Sequence, residues 1–292
     1  MPCARHLIKG ILMHAILAID AAWTKKQPSG VALISGITGH WRCIGLAPSY
    51  HSFIELSRGR TVDWEAPRIS GCTPDCSGLL QAASCLLQGR SVSLVTVDMP
   101  LATVPITGRR AADQKISHQF GRAKCSTHSP NASRPGTVGT AISDGFEEQG
   151  FSLATTDQKA GTPGCLVEVY PHPALLRLLN AQERIPYKVT KSRRYWPGQS
   201  LACRIMRVRQ ELGRILGALR VAIQDIALPL PDADHLKTLS QLKRYEDAID
   251  ALVCGWVGTQ FLQGSATPYG DATCAIWVPK RKGLQCPSSL RN

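Results

Sequence analysis

The sequence predicts an α/β domain built on a mixed sheet of five strands, flanked by helices and interrupted by long insertions. Short apolar segments rich in β-branched residues alternate with longer segments of helical periodicity, which is typical of this class. The 292 residues are enough for one domain with a sizeable core. We expect the domain to span residues 13–282, between a dispensable extension at 1–12 and a tail at 283–292, with Met13 as an alternative start.

The first three predicted strands lie close together near the N-terminus. The apolar segment HAILAID at residues 14–20 ends in Asp20, an unusual position because aspartate is depleted in strands. Two more apolar segments, at 30–36 and 40–47, are separated by a short connection that contains a glycine, which is typical of a hairpin. The sheet is therefore expected to begin with three strands joined by short connections.

One helix and two further strands are predicted in the middle of the chain. Residues 73–88 form a helix that begins with Thr-Pro and ends before a glycine. The β-branched segment 91–100 forms a strand that carries Asp98, and its final proline prevents the strand from continuing. Residues 165–179 form a strand that carries Glu168, then a turn marked by proline, and then a helix.

Three long insertions are predicted, near residues 49–71, 108–163 and 184–236. The first contains several Gly and Ser residues and a proline, and it is expected to be irregular. The second is polar and, at this length, is expected to be functional or mobile, with a helix at 109–120. The third is strongly basic and contains an amphipathic helix at 202–220.

The last predicted helix, at residues 245–256, carries Asp247 and Asp250 where it becomes apolar. At about 100° per residue, both aspartates share a stripe with small residues, and large apolar residues lie opposite. Glu246 lies about 100° around the helix and is expected to be exposed. Because Asp250 is one turn deeper than Asp247, we expect Asp250 to matter more. The alternative is that both aspartates lie in a solvated first turn and favour the helix dipole.

Five carboxylates are thus associated with predicted strands or with the apolar helix. Each one alone is equally well explained as a turn residue or a cap. Together they provide the oxygen ligands that Mg²⁺ or Mn²⁺ prefers, and two such ions can activate water and stabilise the leaving oxygen in phosphodiester hydrolysis. We predict that the core metal ligands are Asp20, Asp98 and Asp250, and that Asp247 and Glu168 are further ligands or close support.

The net charge of +13 and a pI near 9.4 favour a polyanionic partner, which we interpret as nucleic acid, either DNA or RNA. Basic side chains of the second and third insertions are expected to contact phosphates, and segment 191–196 mixes cations with aromatic rings that can stack on bases. The candidates are Arg109, Arg110, Lys191, Arg193, Arg194, Arg204, Arg207 and Arg214. The alternative for each is a solvated surface position without a ligand.

The cysteines and the N-terminal segment favour a cytoplasmic protein. None of the 11 cysteines forms a CxxC pair, so we expect reduced thiols and no zinc site. The apolar segment at 7–19 is too short for a membrane span and is interrupted by Lys9 and His14. We therefore expect no membrane contact, and the oligomeric state is left open.

The order of these elements resembles that of the RNase H-like superfamily: a strand ending in Asp, two more strands, a helix, a strand with an acid, and a late helix with Asp. Within that helix, DAIDAL at 247–252 resembles the DAADAL-type helix of the RuvC-type Holliday-junction resolvases. The chain resembles more closely the family catalogued as domain of unknown function 429, described as predicted nucleases with an RNase H fold. The matching segments are 15–23, 95–101, 109–113, 167–175, 245–256 and 276–279, which together span nearly the whole predicted domain.

This resemblance implies an RNase H-like domain that acts as a Mg²⁺- or Mn²⁺-dependent nuclease, in which water attacks the phosphodiester and leaves a 3′-hydroxyl. The long insertions depart from the family pattern, so the substrate is left open among DNA, RNA, hybrid and branched forms. One alternative is a nucleic-acid-binding protein of the same fold that does not cleave. Another is an actin-like phosphotransferase, against which the single acidic helix and the lack of a glycine-rich phosphate turn argue.

Overall fold

The structure is a computed structural model that describes residues 13–135 and 137–281. Within these residues, one mixed sheet of nine strands has helices on both faces, which confirms the predicted α/β class. The predicted extension at 1–12 and the predicted tail at 283–292 lie outside the described residues. Over the two described ranges, no helix is both long enough and apolar enough to cross a membrane.

The sheet contains all five predicted strands and four more. Its strands are β1 His14–Asp20, β2 Gly30–Ile37, β3 His40–Ala47, β4 Leu94–Val97, β5 Ser152–Leu153, β6 Cys165–Val169, β7 Ile223–Gln224, β8 Ala266–Gly270 and β9 Ala275–Pro279. They run in the order β7-β3-β2-β1-β4-β6-β9-β8, and β5 pairs with β6 outside this path. Strands β1, β2 and β3 are antiparallel neighbours, whereas β1, β4, β6 and β9 run parallel to one another.

The predicted five-stranded sheet is too small. The apolar segment at 274–279 was itself expected to be a short strand and forms β9, whereas the other three additional strands give little periodic signal. β5 and β7 have two residues each, which is too short for an alternating pattern. β8 contains Pro268 and Gly270, residue types that are depleted in strands, and it lies at the edge of the sheet where proline is tolerated.

Helices cover both faces of the sheet. They are α1 Tyr50–Ser57, α2 Cys76–Leu86, α3 Ala111–Phe120, α4 Thr137–Glu147, α5 Pro171–Leu178, α6 Ser192–Tyr195, α7 Leu201–Ala222 and α8 Lys243–Leu262. The first insertion is therefore not wholly irregular, because the Ser49 side chain caps α1 by accepting a hydrogen bond from the Ser52 amide. Helix α2 begins after Asp75 rather than at Thr73, because the Asp75 carboxylate caps it.

Side chains of β1 alternate between two apolar layers, one on each face of the sheet. Ile16 and Ala18 pack in the layer that includes α5, α7 and α8. Leu17 and Ile19 pack in the layer that includes α1, α2 and α4. All four side chains are fully buried, so β1 is held from both sides and the position of its last residue is well defined.

Small residues allow α8 to approach the sheet closely, on the stripe that the sequence predicted. A Cβ added at Gly258 would lie 2.9 Å from a side-chain carbon of Ile16. A Cβ added at Gly30 would lie 2.2 Å from the backbone oxygen of Asp247. Because Gly30 pairs with Asp20 in the β1–β2 ladder, this contact places Asp247 beside the end of β1.

Candidate functional site

Two acids lie side by side where β1 and β4 end. Ile19 and Val97 are partners in the parallel β1–β4 ladder, and the Asp98 amide donates to the Ile19 carbonyl at 2.9 Å. Asp20 and Asp98 are the next residues on these strands, which lie about 4.8 Å apart as neighbours in a sheet. The predicted convergence of the two strand-end aspartates is therefore present.

These two acids open into a cleft of about 630 Å³. Three of the predicted metal ligands line this cleft: Asp20, Asp98 and Asp247. Five basic side chains line it as well: His128, Arg134, Lys188, Lys191 and Lys243. Only Lys191 of these five was among the predicted phosphate contacts. The sequence analysis missed the other four basic side chains of the cleft.

The Asp20 and Asp98 carboxylates accept no hydrogen bond from any donor in the described part of the chain. Burial, together with Asp250 and Asp247, raises the pKa of Asp20 well above its usual value. Burial raises the pKa of Asp98 to about 7, against an opposing effect of Lys188. Both groups are thus carboxylates whose charge is poorly compensated by the protein itself.

Asp250 lies behind the cleft and is fully buried. The Tyr187 hydroxyl donates to its Oδ1 at 2.6 Å, and the Lys188 ammonium donates to its Oδ2. Burial raises the pKa of Asp250, and Lys188 opposes that shift. Both oxygens of Asp250 therefore already have donors, whereas Asp247 lines the cleft. The sequence favoured Asp250 because it lies one turn deeper in the helix, but this depth instead removes it from the cleft.

Glu246 is buried, so the prediction that it is exposed was wrong. Its Oε2 accepts a hydrogen bond from the Val189 amide at 2.6 Å, and its Oε1 accepts one from Lys243 at 2.9 Å. Burial disfavours its charge, but Lys188 and Lys243 lower its pKa below the usual range. The helical phase was correct, but Tyr187, Lys188 and Val189 lie against this side of α8, a contact that no local pattern reveals.

Two lysines neutralise part of the acidic cluster. Lys243 donates to Asp247 and Glu246 from the first turn of α8, and Lys188 contacts Asp250. Burial disfavours the charge of both lysines. Asp250 nevertheless raises the pKa of Lys188 above its usual value, and Asp247 raises that of Lys243. Burial also raises the pKa of Asp247, to about 6, despite Lys243. The sequence signals for this arrangement were the i, i+3 spacing of Lys243 and Glu246 and the i, i+4 spacing of Lys243 and Asp247.

Glu168 is held by an arginine rather than left free for a metal. Arg110 donates to both Glu168 oxygens, at 2.6 and 2.7 Å, and the Leu101 amide donates to Oε2 at 2.9 Å. Arg110 also contacts both Asp113 oxygens at 3.0 Å. Glu168 was predicted to be a metal ligand or a close support of the metal site, and these contacts fit the second role. Arg110 was predicted to contact phosphate, but it is buried in an ion-pair network instead.

The remaining predicted phosphate contacts fall into different places. Arg204 is buried and donates to the Ser192 hydroxyl at 3.3 Å, because its face of α7 packs towards the core. That prediction of a nucleic-acid contact was wrong. Arg109 is exposed but donates to the Ser129 hydroxyl at 3.0 Å. Like Arg109, four other predicted contacts are exposed and lie away from the lining of the cleft: Arg193, Arg194, Arg207 and Arg214.

The donor set partly fits a divalent cation. Across residues 13–135 and 137–281, no three His, Cys, Asp or Glu side chains are arranged to hold one ion. The chemistry nevertheless suits a hard cation beside Asp20 and Asp98, which provide oxygen atoms that no donor in the described ranges occupies. A second ion would have to compete with Lys243 for Asp247 or with Lys188 for Asp250.

A family model described as "Protein of unknown function (DUF429)" matches residues 61–273. The chain belongs to this family. The match includes the segments that carry Asp98, Glu168, Asp247 and Asp250, whereas Asp20 precedes it. Membership confirms the resemblance to family 429, and the activity stays a prediction. No curated protein and no solved structure was found to match the chain.

The acidic cleft should make the metal-free protein less stable as the pH rises. The pKa of Asp98 is about 7 in the folded protein and 3.8 ordinarily. A carboxyl group whose pKa is raised by folding stabilises the folded protein fully when the pH is below its ordinary pKa. That stability is lost as the pH rises through the pKa of the folded protein. We expect the Tm in EDTA to fall between about pH 4 and pH 7. Mg²⁺ at the higher pH should restore it, because the cation would bind only the folded site.

Thermal unfolding of wild type and Asp98→Asn, each with EDTA and with Mg²⁺, measures both effects. The variant cannot lose a proton at this position, so its Tm should fall less with pH and respond less to Mg²⁺. Equal pH slopes for the two proteins, together with a wild-type Tm that Mg²⁺ does not change, would contradict the electrostatic description of the cleft.

Proposed function

We propose that the protein is a metal-dependent nuclease that hydrolyses phosphodiester bonds at the cleft. The observation that carries this proposal is the meeting of Asp20, Asp98 and Asp247 with five basic side chains in one cavity. Acidic groups alone would repel a phosphodiester, and basic groups alone would only bind it. A cavity that contains both can hold a cation and an anionic substrate together, which metal-assisted phosphodiester hydrolysis requires.

The side chains divide into two roles in this proposal. Asp20 and Asp98 would hold Mg²⁺ or Mn²⁺, with Asp247 beside them in the same cleft. Such a cation would activate water and stabilise the leaving oxygen of a phosphodiester. Lys188 and Lys243 partly compensate the negative charges of Asp250 and Asp247 and present ammonium groups to the cleft.

A cleavage panel tests the proposal. Labelled single-stranded and double-stranded DNA and RNA, a hybrid duplex and a four-way junction are incubated with Mg²⁺, Mn²⁺ or EDTA, beside Asp20→Asn protein. We expect metal-dependent cleavage of at least one substrate by wild type and a large loss in the variant. Binding without metal-dependent turnover would instead favour the non-catalytic nucleic-acid-binding alternative.

Binding should depend on salt through the cleft cations. Each duplex phosphate that a protein neutralises contributes a slope of about 0.9 log units per log unit of salt, and each single-strand phosphate about 0.7. We expect Lys191→Gln combined with Arg134→Gln to flatten the slope by roughly two such contributions. The matched control, Arg207→Gln combined with Arg214→Gln, removes two exposed charges of α7 away from the cleft lining. A flatter slope in the control alone would move the binding surface to α7.

A further inference from the structure

An aromatic side chain lies in the cleft three residues after Asp20. Trp23 is half-buried and lines the same cavity as the three carboxylates. The Arg134 guanidinium lies over its ring, 5.6 Å from the centroid. Three residues of chain reach at most about 10 Å, so the ring is close to the acid that ends β1. Its face can therefore meet a group bound next to the metal-binding carboxylates.

The size of the cleft restricts how a nucleic acid can enter it. Its volume of about 630 Å³ is that of a pocket for a small molecule. The interior of such a pocket has room for a nucleotide or two of one strand, whereas a double helix would have to lie across its mouth. Bases in a duplex are stacked on each other and offer no free face to an indole ring, whereas an unpaired base does.

We propose that the cleft takes an unpaired nucleic-acid strand and that Trp23 stacks on the base next to the scissile phosphate, an inference that rests on the proposed nuclease function. Sites for single strands combine cations that follow the backbone with aromatic rings on which bases stack. Both parts are present here, with Arg134 and Lys191 as the cations and Trp23 as the ring. The Arg134 guanidinium lies 5.6 Å from the ring centroid, which places this cation beside the ring that would stack on the base.

A second tryptophan provides a matched control. Trp196 is also half-buried and also has an arginine over its ring, with Arg207 at 5.7 Å from the centroid. It packs against the apolar layer that includes α7 and does not line the cleft. The sequence alone predicted base stacking on segment 191–196, which contains Trp196, whereas the structure favours stacking on Trp23. Variants of the two tryptophans therefore distinguish these two predictions.

Binding is measured by fluorescence anisotropy in EDTA, so that the readout does not depend on cleavage. The probes are labelled oligonucleotides of about 12 nucleotides, a length within the range of known single-strand sites, each as a single strand and as a duplex. We expect the wild type to prefer the single strand, and Trp23→Leu to raise its Kd about tenfold, as for loss of one stacked base. Trp23→Phe should keep most of the affinity, and Trp196→Leu should leave it unchanged. Thermal unfolding of each variant verifies that it is folded.

Each outcome decides the proposal. Equal affinity for single strand and duplex, an unchanged Kd in folded Trp23→Leu, or a weakened Trp196→Leu would overturn it. Single strands that are cut equally by wild type and Trp23→Leu would overturn the stacking role and leave the nuclease function standing. Binding of single strands that depends on Trp23, with no substrate cut under any metal, would overturn the nuclease function and support the binding of an unpaired strand.

Discussion

Asp20→Asn is expected to lower metal-dependent cleavage by at least about a hundredfold, which is about 2.7 kcal/mol of activation free energy. Asp20 lies at the end of β1 with no hydrogen-bond donor to its carboxylate among the described residues, and it faces the cleft. Asparagine keeps the shape and removes the charge that a divalent cation requires. Initial cleavage rates at saturating Mg²⁺ or Mn²⁺, measured on whichever substrate wild type cuts, give the effect.

The same assay orders the acids of α8. Asp247 faces the cleft, whereas both oxygens of Asp250 already bind Tyr187 and Lys188. We therefore expect Asp247→Asn to reduce the rate more directly, and Asp250→Asn to lower the Tm as well, because it leaves Lys188 with less compensation. Asp144→Asn, on the exposed surface of α4, is the matched control and should leave the rate unchanged. Full activity in Asp20→Asn would contradict the site.

The part of the site that follows from local pattern was predictable. Asp20 and Asp98 follow apolar strands, and the carboxyl ends of parallel neighbours meet at one edge of a sheet. The small stripe of α8 indicated which face lies on the sheet, and the contact of Gly258 with Ile16 confirms it. In these cases a repeating pattern within a few residues determines where a side chain points.

The part that depends on contacts between distant segments was not predictable. Glu246 looked exposed because nothing in its own helix shows that Val189 lies against it, 57 positions away. Glu168 looked like a free ligand because its partner Arg110 is separated from it by 58 positions. The charge of a residue predicts that it needs a partner when buried, but the identity of that partner depends on how the chain folds back.

Arg110→Ala is expected to destabilise the protein by about 3–5 kcal/mol, the usual cost of removing one partner from a buried ion pair. The Arg110 side chain is only 6 % exposed. Besides Glu168 and Asp113, it donates to the Leu101 carbonyl at 2.5 Å, so its loss leaves several buried acceptors without a donor. Urea unfolding gives the free energy of unfolding. Arg109, the exposed neighbour of Arg110, provides the control, because Arg109→Ala should change that free energy by less than about 0.5 kcal/mol.

The partner variants separate charge from geometry in this network. Burial already raises the pKa of Glu168, and Arg110 opposes that shift, so without the arginine Glu168 should take up a proton and recover part of the lost stability at low pH. Arg110→Lys should be intermediate, because an ammonium cannot bind both carboxylate oxygens as a guanidinium does. In Arg110→Ala with Glu168→Gln, the buried charge of Glu168 is gone while that of Asp113 remains, and the double variant should lose less stability than the sum of the single ones. Strict additivity would show that Arg110 and Glu168 are not energetically coupled, which would contradict the ion pair as a source of stability.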